Sequence, residues 1–220
     1  MPNEQQVPSL VIRQVCDSII DSLGAKSLRL LFAQSGLQRF YTGGELPPAD
    51  DTPSATVDEL SHLFATAFRI FGDKGVKPIL LRTGRNSLKH FRDHNKALAA
   101  LAGAAFKVLP TDAKIKLVLS RSAKIAEELL HTPHTTYDNA EGFFVEISSC
   151  PYCAGNQAEH GICYFPLGFY GEALRWATGA TYPIDEVECI AAGGTVCRFR
   201  IGRTPTESQD RKSTRLNSSH

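Results

Sequence analysis

The sequence predicts an α+β fold in which a helical N-terminal half packs on a small antiparallel sheet. Apolar residues recur at i, i+3, i+4 and i+7 through most of the chain before residue 131. Beyond the segment His131-Thr132-Pro133-His134 the texture changes to short aromatic and β-branched runs bounded by Gly, Asn and polar residues. Neither an internal repeat nor a clear linker divides the chain. Residues 1–209 are therefore expected to form one domain, with helices covering one side of the sheet. The helical part is placed at about 9–131 and the α+β part at about 134–203.

Residues 1–8 are expected to be disordered. Leu10, Val11, Val15, Ile19, Ile20 and Leu23 mark an amphipathic helix that stops at Gly24. A shorter helical stretch from Ser27 to Gln34 ends at Gly36, and YTGGELPPADDTPSA reads as loop. Thr56 and Glu59 then form a capping-box pattern. Behind them Leu60, Leu63, Phe64, Ala67, Phe68 and Phe71 keep helical spacing. From Gly75 to about Leu130 the pattern stays helical, broken near His94–Asn95 and again at Pro110–Thr111. Ile115, Val118, Leu119, Ser122, Ile125 and Leu129 put one stripe on the last of these helices. Phe143 to Ser148 reads as a strand and Ala154 to Gly161 as a loop. Phe165 to Thr178 reads as a helix, with Pro166 in its first turn and Gly179 just past its end. Ile184 to Ile201 reads as a closing hairpin.

Bulk properties exclude several classes. The 220 residues carry a formal net charge of +1, so no basic field points to nucleic acid. No apolar run approaches the ~18 residues of a membrane span. The N-terminus MPNEQQVPSL lacks the basic start and apolar stretch of a secretory signal, so a cytoplasmic location is expected. The C-terminal DRKSTRLNSSH, residues 210–220, resembles the conceptual translation of a sequencing-adapter read-through and is set aside from fold reasoning.

The chemistry concentrates in cysteine. Of six, Cys16 lies on the apolar side of the first helix and reads as core. Cys150, Cys153, Cys163, Cys189 and Cys197 fall close together as C-P-Y-C, then C, then C-x7-C. Two cysteines on the arms of one hairpin allow a disulfide, small core packing or half of a metal site. A reducing compartment favours metal over a disulfide. C-x2-C is a chelating spacing, because a tight turn brings both thiolates to one ion. In ECIAAGGTVC, a three-residue loop Ala192–Gly193–Gly194 would oppose Cys189 to Cys197, with Gly supplying the left-handed residue. Cys163 precedes a helix N-terminus, which favours thiolate. Five cysteines exceed the four ligands a structural zinc needs, and Glu186 and His160 are further candidates. Glu186 lies three residues from Cys189, so an unbroken strand would turn it to the other face.

The elements CPYC, GICYFPLGFYGEAL and EVECIAAGGTVCRFRI resemble the 4-vinyl reductase domain family. The segment from about Val11 to Phe91 looks like the helical region of its stand-alone bacterial members. The resemblance implies the fold of TRAPP-complex subunits and haem nitric-oxide sensors, and a zinc near the C-terminal hairpin. It implies Cys163, Glu186, Cys189 and Cys197 as ligands, with Cys150 or Cys153 as alternatives to Glu186. Tyr164 stands where many relatives have His.

A zinc-stapled domain that binds a hydrophobic, aromatic or tetrapyrrole-like molecule as sensor or carrier is the function this reading favours. The stapled hairpin would fix one pocket wall. Phe143, Phe144, Phe169, Tyr170 and Trp176 would supply apolar lining, and Gly168 and Gly171 a close approach to the helix. A homodimer is left open. The alternative is a reductase, or its accessory subunit, in tetrapyrrole synthesis. No G-x-G-x-x-G turn, Walker motif or Ser/His/Asp arrangement supports catalysis, and no catalytic residue is assigned. His90, His94, His131 and His134 sit on polar segments and read as solvated.

Overall fold

The structure, a computed structural model, describes residues 5–206. Its elements run β1 (Gln6–Pro8), α1 (Ser9–Leu23), α2 (Ala25–Ser35), β2 (Pro53–Thr56), α3 (Val57–His94), α4 (Lys96–Val108), α5 (Thr111–Leu130), β3 (His134–Asn139), β4 (Gly142–Ile147), α6 (Tyr164–Thr178), β5 (Ile184–Glu188) and β6 (Cys197–Ile201). Short 3-10 turns occupy Gln38–Phe40 and Ile190–Ala192. The α+β expectation holds: β3, β4, β6 and β5 form a four-stranded antiparallel sheet in that order.

The predicted capping box is present. Thr56 Oγ1 accepts from the Glu59 N–H at 3.1 Å, and Glu59 Oε2 accepts from the Thr56 N–H at 2.9 Å. α3 is kinked at Gly72, whose φ of 64° and ψ of 168° lie outside helical values. Its second arm crosses α6 with almost no gap. A Cβ on Gly84 would strike the Phe165 carbonyl, and one on Gly168 would strike the Leu81 carbonyl. Gly168 thus serves helix–helix contact, and Gly171 faces Ile184 of β5. The expected approach of a ligand at these two glycines is not what the packing uses them for.

The sheet separates apolar from polar by strand alternation. Phe143, Val145 and Ile147 of β4 pair with Ile201, Phe199 and Cys197 of β6 on the buried face. The opposite face carries Arg198, bonded to Glu146 at 2.6 Å and Glu188 at 2.8 Å. There Phe144 stacks on Tyr137 at 4.9 Å. Phe143 lies beneath the Arg203 guanidinium. Neither phenylalanine lines the ligand cavity described below, contrary to expectation.

Two further expectations are corrected by the fold. Residues 6–8, expected to be disordered, form β1, which pairs with β2 through Gln6↔Thr56 and Val7↔Ala55. His131 closes α5 in the left-handed region and its ring donates to the Gln6 carbonyl at 3.0 Å, so the ribbon is pinned to the helical layer. A three-residue pattern with one apolar side chain carries no periodicity from which pairing at such separation could be read. β3 is a strand that the sequence pattern does not mark; HTTYDN is mostly exposed and lacks an apolar alternation. The segment 210–220 lies outside the described residues.

Candidate metal centre and ligand cavity

The five clustered cysteines reach one buried spot from three directions. Cys150 and Cys153 come from the turn after β4, Cys163 caps the N-terminus of α6, and Cys189 and Cys197 flank the connection between β5 and β6. The Sγ atoms of Cys150, Cys153, Cys163 and Cys197 all lie within 4.8 Å of one another. Cys150 to Cys163 is 3.5 Å, Cys153 to Cys197 is 3.5 Å and Cys163 to Cys197 is 3.6 Å. All six cysteines are free thiols. A tetrahedral ion with ~2.3 Å metal–sulfur bonds needs sulfurs about 3.8 Å apart. The four cysteines therefore have the chemistry and spacing to hold a metal ion.

A second tetrad shares an edge with the first. Cys163, Cys189, Cys197 and a Glu186 carboxylate oxygen also lie within 4.8 Å of one another. The parity objection to Glu186 fails because the strand is not unbroken. Register runs Glu186↔Phe199 and then Glu188↔Arg198, so Val187 is a β-bulge. The extra residue returns Cys189 to the face that Glu186 occupies. Glu186 Oε2 accepts from the Cys163 N–H at 2.8 Å, while Oε1 is buried with no protein partner.

The hairpin connection is longer than expected but keeps the expected parity. A 3-10 turn over Ile190–Ala192 ends at Gly193 in the left-handed region (φ 88°), and the Gly194 N–H reaches the Cys189 carbonyl at 2.9 Å. Glu188 closes the far end by accepting from the Thr195 and Val196 N–H groups. Cys189 and Cys197 end 4.0 Å apart at sulfur.

The thiols perturb one another. Hydrogen bonds from Cys150 first, then Cys163, Cys189 and Cys197, draw the Cys153 thiol far below its ordinary range. Burial, then Cys153, pushes Cys150 up. Burial pushes the Glu186 carboxyl up, against the pull of the Cys163 N–H. Cys16, fully buried in α1 as expected, is pushed up to about 12 by burial and then by Asp17. His160 stays outside the cluster, its Nε2 3.2 Å from Tyr164 Oη and 3.3 Å from Asp73. Tyr164 likewise turns away, donating to Asp73 at 2.7 Å.

A cavity of about 590 Å³ opens among α1, α3, α4, α5 and α6, within the ~300–1,000 Å³ of small-molecule sites. Phe169, Tyr170 and Trp176 line it as expected, joined by Phe64, Leu88 and Phe106. No hairpin residue forms its wall. The wall nearest the cysteines is Tyr152, the residue between the cysteines of CPYC, stacked on Phe165 at 5.0 Å. Two buried donors on this lining, Gln14 Nε2 and Arg92 Nε, have no protein partner. The Arg92 guanidinium sits over the Trp176 ring at 4.6 Å.

His134, expected to be solvated, also lines the cavity. Its Nδ1–H donates to the Thr132 carbonyl at 2.6 Å and burial lowers its pKa. The signal for this is its position at the junction of the helical and sheet halves. His90 pairs with Asp21 at 3.0 Å, and the His94 ring bonds the His90 carbonyl.

The fold is that of the H-NOX proteins. An H-NOX mutant from K. algicida in the Fe(II) unliganded state aligns with a TM-score of 0.59 at 14% identity, covering 93% of this chain and 99% of that one. An H-NOX protein from S. oneidensis in the Fe(II)NO state aligns with a TM-score of 0.57 at 10% identity, covering 91% and 99%. Within that frame, residues 143–203 match the family model of the 4-vinyl reductase domain, so the chain carries a domain of the family its cysteine motifs resemble. An uncharacterized protein of Methanocaldococcus jannaschii is 27% identical over 64 residues, 29% of this chain and 35% of that protein. The match spans about a third of that relative's length. Among the described residues no helix is long and apolar enough to cross a membrane.

Proposed function

We propose that the chain is a metal-stapled binding domain, a sensor or carrier, for a small apolar molecule bearing a hydrogen-bond acceptor. The observation that carries this reading is the cavity itself: a mostly apolar lining with two unpartnered donors, Gln14 Nε2 and Arg92 Nε. Buried donors lacking partners are costly, and a ligand carboxylate or carbonyl would relieve them. An aromatic body fits the rings of Trp176 and Phe169.

Zinc is the ion we propose for the cysteines, because a four-sulfur tetrahedral set suits it. When bound, it would supply folding energy by joining the CPYC turn, the start of α6 and the closing hairpin. Such a staple fixes Tyr152, and through it the cavity wall. A thiol-rich centre of this kind belongs in a reducing compartment, in keeping with a cytoplasmic location.

A tetrapyrrole is one member of the proposed ligand class, and work on the H-NOX neighbours concerns haem. His134 offers the cavity an imidazole whose Nδ1–H is committed to Thr132, leaving Nε2 as the lone-pair nitrogen. The test is native mass spectrometry and absorption of protein purified without chelator. A stoichiometric apolar acid, aromatic or tetrapyrrole (the last with its Soret band) supports the reading. A bound redox cofactor would favour the reductase alternative. An empty protein that takes up no aromatic acid when challenged would overturn the proposal.

A further inference from the structure

We infer that the cysteine centre is binuclear, holding two zinc ions bridged by the Cys163 and Cys197 thiolates. This rests on the metal-binding reading above and extends it. The two tetrads, Cys150/Cys153/Cys163/Cys197 and Cys163/Glu186/Cys189/Cys197, share the Cys163–Cys197 edge of 3.6 Å. Each supplies four ligand atoms, the number a closed zinc site takes. The two sets cannot merge around one ion, since six ligands exceed that number.

With one ion in the first tetrad, Cys189 and Glu186 are idle, and Glu186 Oε1 stays buried without a partner. With one ion in the second, the C-x2-C chelate is idle. Two ions engage all six ligands and give Oε1 its missing partner. Charge points the same way. Five thiolates and a carboxylate in one buried cluster are one-third neutralised by a single divalent ion and two-thirds neutralised by two. On loading, each thiol that becomes a ligand releases its proton to solvent.

The position of Cys163 suits a bridge. It heads α6, where unpaired N–H groups favour negative charge, and its own N–H already binds Glu186. Cys197, fully buried on β6, lies between Cys153 at 3.5 Å and Cys189 at 4.0 Å, as a ligand common to both tetrads must.

The test is the zinc content of the reduced full chain after equilibration in zinc-buffered medium and gel filtration. Two zinc ions per chain are expected, falling to one in Cys189→Ser and remaining two in Cys16→Ser. One per chain in the wild type overturns the binuclear inference and leaves the metal-binding reading standing; none overturns both. Because Cys189→Ser can fail to fold, Co(II) titration of the wild type gives an independent decision. Thiolate bridging should make the electron paramagnetic resonance signal rise with the first equivalent and fall with the second. A signal that simply doubles would mean two unbridged ions and would sink the inference.

Discussion

Glu186 and Cys189 face the same buried spot because Val187 bulges out of β5. One inserted residue decides which ligands the hairpin offers, and strand alternation alone would assign Glu186 to the wrong face. Cys197 holds the centre of the cluster. Cys197→Ser is expected to release metal and lower the melting temperature by about 10 °C or more, since structural zinc is folding energy. Cys16→Ser should keep its metal, because that thiol sits in the core of α1. A metal assay beside a thermal melt checks both, and a metal-replete Cys197→Ser would remove Cys197 from the ligand set. His134 gives a pH signature. Burial makes its ring bind a proton more weakly in the folded than in the unfolded chain. Its contribution is therefore intact above the unfolded value of ~6.5 and is lost as pH falls below it. Urea midpoints at pH 7.5 and 5.5 should differ less in His134→Gln than in the wild type. Acid release of metal is common to both proteins, so equal differences would contradict this role.

Elements with strong periodicity are legible in the sequence: α1, both arms of α3, α5 and α6 bury the stripes their spacing marks. The capping box and the Gly179 stop also appear where local chemistry puts them. What the sequence hides depends on long-range contact. β1 has one buried apolar residue and exists because β2 and His131 receive it. The same holds for Gly168, whose purpose appears only when α3 crosses α6 at Gly84. Gly168→Ala should destabilise by about 1–3 kcal/mol through overpacking, roughly 2–12 °C in melting temperature; an unchanged melt would contradict the close crossing. α4 is the element the cavity borrows most from. Leu98 and Leu101 line the cavity yet are 47% and 72% exposed, and Phe106 is the one residue of α4 that is fully inside. Hydrogen exchange should find α4 the least protected helix and show it slowing when a ligand binds. Ligand-independent exchange there would place the opening elsewhere.

Across the whole molecule, cluster and cavity meet at Tyr152. The metal ligands flank it in sequence and its ring faces the space where a ligand would sit. The five cysteines and their C-x2-C and C-x7-C spacings point to the cluster without any coordinates. The cavity has no such signal, because its lining comes from five helices whose stripes read equally well as closed core. Stripping the metal should therefore weaken ligand binding without touching a lining residue. Trp176, the only tryptophan of the chain, lines the cavity and reports on it directly. The most direct measurement is the quenching of its fluorescence by an aromatic carboxylic acid, in the wild type and in Ala102→Phe, which fills the cavity from α4. A saturable, one-to-one quench in the wild type that is lost or weakened at least tenfold in the filled variant is the expected result. A linear, unsaturable quench that is the same in both proteins would contradict the ligand-binding account.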